Sequence, residues 1–237
     1  MAGNTTDGRE ARLARAQELV GEISALPSMP EVVNRLLAML DDTKADAAEI
    51  THAIEQDIGL AGRVLKMVNS PFYGFSTKIA SVKRAVTLLG LSAIKHLVLG
   101  VAMERAFVTE DDKYFNKKAF WRHSLAAGSI GLMLARHIGR QEPEEVFTCA
   151  LLHDVGRMVE SQFFYSDHME AHERAAQKQT SLVEEENALL GTNHAYFSAA
   201  VLKRWNFPEI AVSSAMLHHE LSKSDFLGEE TIGRLYA

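Results

Sequence analysis

The chain has a single cysteine, Cys149, among 237 residues. No disulfide can form within it, and that usage fits a reducing cytoplasm. It has no excess of basic charge: 25 Lys and Arg against 31 Asp and Glu leave a net −6, which argues against a nucleic-acid-binding protein. It has no apolar run long enough to span a bilayer, because the best stretch, residues 88–103, carries Lys95 and His96 and reads as buried helix. The opening MAGNTTDGREARLARAQ lacks the apolar centre of a signal peptide. Convincing period-two alternation, internal repeats and low-complexity tracts are missing too. What remains is an ordinary globular composition, 47% apolar and 24% charged, expected to fold as an all-α cytoplasmic protein.

Helical spacing fills the sequence. Asp7 can cap a helix carrying Leu13, Val20 and Ile23, and Pro30 suits the first turn of one carrying Val33, Leu36, Leu37 and Leu40. Asp46 and Glu49 resemble a capping box for Ile50, Ala53 and Ile54. Leu60, Val64, Leu65 and Val68 continue until Asn69-Ser70-Pro71, and Gly90 reads as a stop with Ser92 as a fresh cap. In the second half, one helix carries Phe120, His123, Ala127, Ile130 and Leu134. Another runs from Pro143 through His153 and Asp154, Ser181 with Glu184 opens a third, Thr192 a fourth and Pro208 a fifth.

A charged stretch, residues 109–118, separates two halves of different character. Two histidines precede it and eight follow: His123, His137, His153, His168, His172, His194, His218 and His219. The sharpest local feature is Ala150-Leu151-Leu152-His153-Asp154-Val155-Gly156-Arg157. A carboxylate in an apolar run is costly unless paired or bound to metal. His153 and Asp154 can both reach one ion if a helix end points at it, and the spacing places His123 on the core side of its own helix. Imidazoles and carboxylates suit a divalent ion (Fe, Mn, Zn or Ni) able to activate water for attack on a phosphoester.

The order His123, then His153-Asp154-Val155-Gly156-Arg157, then His194, then His218-His219-Glu220 resembles the HD phosphohydrolase superfamily. Leu26-Pro27-Ser28-Met29-Pro30, Ile54 to Leu60, Val68-Asn69-Ser70-Pro71-Phe72-Tyr73-Gly74 and Ile79 to Gly90 resemble HDOD markers within it. The likeness implies an all-helical HDOD-type fold, an N-terminal helical bundle packed on an HD-like one. It would comprise an extension over 1–20 and an HDOD domain over 21–237, with subdomains 21–108 and 116–237. It implies non-catalytic bacterial signalling through protein contacts, with receiver or cyclic-di-GMP turnover proteins as partners and a homodimer as one allowed assembly. The alternative is a metal-dependent phosphohydrolase of a nucleotide or cyclic dinucleotide, as in HD-GYP relatives. His123, His153, Asp154, His194, His218 and His219 are the candidate metal ligands and Arg157 the candidate phosphate ligand. The HD-GYP pattern is incomplete: its Lys is Arg157 here, no Gly-Tyr-Pro follows Glu220, and the late Asp has no match. Asp225 is a poor substitute, and the ending Gly233 to Ala237 resembles the start of the helix that carries this ligand, which leaves room for it beyond Ala237.

Plainer readings stand beside these. His153 and Asp154 can form a satisfied buried pair, and His218-His219 can simply complement a helix C-terminus. Glu220 reads as exposed, and Arg157 reads better as the partner of a neighbouring carboxylate than of a phosphate. His137, His168 and His172 read as surface residues, and Cys149 as a small buried hydrophobe. Phe72, Tyr73 and Phe75 are candidate partner-binding aromatics, although the Asn69 to Gly74 turn reads better as structure. Lys78, Lys83, Arg84 and Lys95 form a local basic zone that a solvated helix face explains equally well.

Overall fold

A computed structural model describes residues 6–27, 47–70, 73–107 and 111–220. The helix expected after Pro30, Phe72 and Asp225 lie outside the described residues. Among those residues the chain forms twelve α-helices and no strand. They are α1 (Thr6–Glu22), α2 (Ala47–Gln56), α3 (Ile58–Val68), α4 (Val82–Leu89), α5 (Leu91–Ala106) and α6 (Lys117–His137). After these come α7 (Pro143–Leu152), α8 (Gly156–Phe163), α9 (Tyr165–Lys178), α10 (Leu182–Leu190), α11 (His194–Arg204) and α12 (Glu209–Leu217). Two compact units interleave along the chain: Pro27–Val108 with Ser129–Thr148, and Met1–Leu26 with Thr109–Gly128 and Cys149–Ala237.

In the first of these, α2 buries Ile50, Ala53 and Ile54 and α3 buries Leu60, Val64 and Val68, the positions their periodicity marks. The Asp57 carboxylate caps α3 by accepting from Leu60 N at 3.0 Å. Asn69 explains the turn that follows. Its Nδ2 donates to Leu65 O and Ile79 O, and its Oδ1 accepts from Ile79 N, all within 2.8 Å. One amide thus closes α3 and ties the loop to its far end. Tyr73 and Phe75 are half-buried and stacked on each other at 6.4 Å, and burial pushes the Tyr73 hydroxyl up to about 12. Gly90, at φ +84°, ends α4 and itself precedes the first residue of α5, so Ser92 lies inside α5 instead of capping it.

Helix α6 departs from the apolar spacing. Ile130 and Leu134 are more than half exposed, while the buried positions include Phe120, Ser124, Ser129, Leu132 and Ala135. Three of these, Ser124, Ser129 and Ala135, are small residues that an apolar count passes over.

The second unit is built on α11, whose residues from His194 to Leu202 are all buried. Helices α1, α8 and α12 pack on it. Its cap is Asn193, accepting from Ala195 N at 3.0 Å, and not Thr192, whose hydroxyl donates to Arg12 O. Asp7 sits within α1 rather than ahead of it. Ser181 and Glu184 form the reciprocal capping box that opens α10.

Candidate metal centre

Helix α7 stops at Leu152, so His153, Asp154 and Val155 form a turn between α7 and α8 instead of continuing the helix. Gly156 sets where that turn lies. A Cβ there would meet His194 O at 2.0 Å and Ser198 N at 2.6 Å, and the Gly156 N–H donates to Ser198 Oγ at 2.7 Å. Only glycine lets the start of α8 touch α11, and that contact delivers Asp154 to His194.

Asp154, 6% exposed, stands at the middle of the histidines. Its Oδ1 lies 3.2 Å from His218 Nε2 and 3.5 Å from His194 Nε2. Its Oδ2 lies 3.5 Å from His153 Nε2 and 3.9 Å from His123 Nε2. His194 Nε2 and His219 Nε2 are 2.8 Å apart. Two donor sets therefore share one carboxylate: Asp154, His194, His218 and His219, and Asp154, His123 and His153. All six expected ligands are brought together. His123 does not face the core as its spacing suggested; its side chain is 58% exposed and reaches the cluster from the open side.

The tautomers are set from outside the cluster. His153 Nδ1 is 2.7 Å from Ala150 O and His218 Nδ1 is 2.7 Å from Ala215 O. A carbonyl only accepts, so each Nδ1 carries the hydrogen and each Nε2 presents a lone pair inward. His194 Nδ1 is likewise 2.7 Å from Glu186 Oε2. Three Nε2 lone pairs thus converge on a carboxylate, an arrangement that repels itself unless a proton or a cation lies between. Second-sphere acceptors that fix ligand histidines in this way are a regular feature of metal sites. Burial, which alone would raise the Asp154 pKa, is outweighed when the facing imidazoles carry a proton, by a hydrogen bond from His218 and the charges of His153 and His194, so a positive charge among them holds the carboxyl far below the usual range. Burial lowers His153, and lowers His219 to about 4, so both stand as neutral donors. The donor set fits a divalent ion of the imidazole-binding class.

Behind His194 lie two carboxyls that the sequence did not single out. Burial, and then Glu186, raises Glu160 well above the carboxylate range. His194 keeps Glu186 ionised against burial. Glu186 sits in a run of three glutamates that reads as solvated surface, and nothing in the sequence distinguishes it. Glu220 is not exposed: Arg9 Nε reaches its Oε2 at 2.7 Å and Tyr196 Oη its Oε1 at 2.5 Å. Arg157 Nη1 lies 3.8 Å from Asp154 Oδ2, as its carboxylate-pairing reading anticipates. With His123, Tyr114, Phe115, Asn116, Ala119 and Phe120 it lines a cavity of about 220 Å³.

An all-helical fold presenting histidines around a His-Asp turn defines the class, and the chain belongs to the HDOD domain family, whose model matches residues 26–221. An HDOD domain protein of unknown function from Geobacter sulfurreducens has the same fold, with a TM-score of 0.82 and 26% identity over 95% of this chain and 76% of that one. A presumed phosphohydrolase from Shewanella amazonensis follows at a TM-score of 0.76, 23% identical over 92% of this chain and 77% of its own. An uncharacterized protein of Treponema pallidum is 25% identical over 207 residues. These cover 87% of this chain but only 40% of that protein. No helix among the described residues is long and apolar enough to cross a membrane.

Proposed function

We propose that this HDOD chain is a non-catalytic signalling module that holds one divalent ion between Asp154, His194, His218 and His219, and signals through contacts with other proteins. Receiver or cyclic-di-GMP turnover proteins are the partners its family resemblance implies. The observation that carries the reading is the convergence of the tautomer-fixed Nε2 atoms of His194 and His218 on Asp154 Oδ1, with His219 Nε2 at 2.8 Å from that of His194. A four-donor set is the closed kind that retains an ion for structure, whereas a three-donor set leaves a position for water. Asp154 is the only carboxylate common to both sets, and Arg157 adds positive charge beside its Oδ2. Charge therefore favours one ion over two. Fe, Mn, Zn and Ni all suit these donors, and the bound ion supplies a fixed positive charge. Around it Glu186 orients His194, and the Ala150 and Ala215 carbonyls orient His153 and His218.

The test is metal analysis of the purified chain, with capture of receiver and cyclic-di-GMP turnover proteins by the loaded and stripped forms. One retained ion, and capture that depends on it, are expected. A second reading, a metal-dependent phosphohydrolase of a nucleotide or cyclic dinucleotide, is favoured by the three-donor set, whose one exposed member, His123, lines the 220 Å³ cavity together with Arg157. Hydrolysis of cyclic di-GMP or a nucleoside phosphate that is abolished in Asp154→Ala would establish that reading in place of the first.

A further inference from the structure

Within the four-donor set, His194 and His218 are each fixed by an acceptor on the outer ring nitrogen, Glu186 Oε2 and Ala215 O. His219, the exposed member, has no such acceptor among the described residues, yet its Nε2 stands 2.8 Å from that of His194. A ring with nothing behind it depends on its backbone for its place.

The next residue supplies that hold. Glu220 N donates to Leu217 O at 2.8 Å, closing the turn after α12. Its side chain, 10% exposed, is met by three others. Tyr196 Oη donates to Oε1 at 2.5 Å, Arg9 Nε donates to Oε2 at 2.7 Å, and Arg12 Nη1 stands 3.8 Å from Oε1. Tyr196 is fully buried, and burial followed by the Glu220 contact raises the pKa of its hydroxyl, which stays a donor. It lies two residues after His194 on α11. The 218–220 turn is thus registered on α11 twice, by His219 against His194 and by Glu220 against Tyr196. Both arginines come from α1, which precedes the residues that the family model matches. The same helix is tied along α11: Arg12 O accepts from Thr192 Oγ1 at 3.0 Å, and Val20 O accepts from Arg204 Nη1 at 2.9 Å.

We infer that Glu220 is a positioning residue of the Asp154 centre, holding His219 against His194, and that α1 governs it through Arg9. The inference rests on the proposal that this centre holds an ion. Docked, α1 neutralises Glu220 and fixes the fourth donor. Drawn away, it leaves a buried carboxylate uncompensated, which is costly enough to turn the side chain out to water and the His219 backbone with it. Metal affinity then reports the docking of α1, and a partner that binds this helix loosens the ion.

The experiment uses the full chain, with Zn²⁺ and Co²⁺ as probes and a chelator of known strength as competitor. Arg9→Ala and Glu220→Gln remove the hold, and Arg9→Lys restores the charge. Arg204→Ala cuts the α1 tether at Val20, away from the histidine turn. Melting curves establish that each variant is folded; should Glu220→Gln fail to fold, Arg9→Ala carries the test. Arg9→Ala and Glu220→Gln are expected to weaken binding about tenfold, the low end for residues that support ligands. Arg9→Lys should recover most of the loss, and Arg204→Ala should bind as the wild type does. In a His219→Gln background Arg9→Ala should weaken binding no further, because the donor it serves is gone. The inference alone is overturned if the wild type binds an ion and the folded variants bind it equally well. It is also overturned if Arg204→Ala weakens binding as much as Arg9→Ala, or if Arg9→Ala has the same effect with and without His219. A wild-type chain that takes up no ion overturns the proposed centre and this inference together.

Discussion

The backbone N–H of Gly156 donates to the Ser198 hydroxyl at 2.7 Å, and that hydroxyl donates in turn to His194 O at 2.9 Å. Two segments more than forty residues apart are thereby locked at the level where Asp154 meets His194. The contact holds the fold and the candidate centre in one piece of geometry, so damage to it is expected in both.

Gly156→Ala places a methyl group where the α11 backbone already stands. Helix α8 must shift away, at a cost of at least ~2 kcal/mol. Ser198→Ala keeps the space and removes only the hydrogen bond, for about 1 kcal/mol. Urea denaturation of both variants, with metal content measured alongside, should show Gly156→Ala losing stability and ion together, and Ser198→Ala keeping most of each.

Glu186 orients His194 through Nδ1. Glu186→Gln keeps the shape but removes the charge that makes the imidazole a strong donor, and second-sphere changes of this kind cost roughly 10–100-fold in metal affinity. Competition against a chelator of known strength measures it. Unchanged affinity would show that His194 is not a ligand.

Glu220 links the histidine turn to α1 through Arg9 and to α11 through Tyr196. Glu220→Ala strands a partly buried guanidinium and a phenol, and about 1–3 kcal/mol of stability should go with it. Arg9→Ala should cost less, because its side chain is the more exposed of the pair. Chemical denaturation of the two variants gives the order.

Acid should destabilise the metal-free chain through α9. Burial lowers His168, and lowers His172 from 6.5 to about 4. The unfolded chain therefore binds more protons as pH falls below about 6.5, and stability complete above that pH is lost on the way down to about 4. The denaturation midpoint should fall between pH 7 and pH 5, and fall less in His172→Gln. Parallel curves for the two proteins would show that His172 titrates normally.

Much of this was legible in the residues, unevenly. The Ser181 and Glu184 box and the Asn69 break were readable because side-chain caps act within a few residues. His153-Asp154 stood out because a carboxylate in an apolar run needs a partner. Thr192 and Asn193 are both good caps, and only the tertiary bond from Thr192 to Arg12 separates them. The packed side of α6 was misread because small residues carry no hydrophobic signal. His168 was missed for a related reason: on a helix as polar as α9 its one buried neighbour is Ala171, too small to mark an inward face. Glu186 and Glu220 gave no sign at all, since burial of a charge is decided by what folds over it.

The central claim is that Asp154 gathers histidines to hold an ion. Metal analysis of the full chain after exposure to Mn, Fe, Zn and Ni and exhaustive dialysis, beside Asp154→Ala carried through the same steps, tests it most directly. The account predicts that an ion bound in the wild-type chain is lost from the folded variant. A wild-type chain that emerges free of metal, or a folded variant that keeps every ion the wild type keeps, would contradict it.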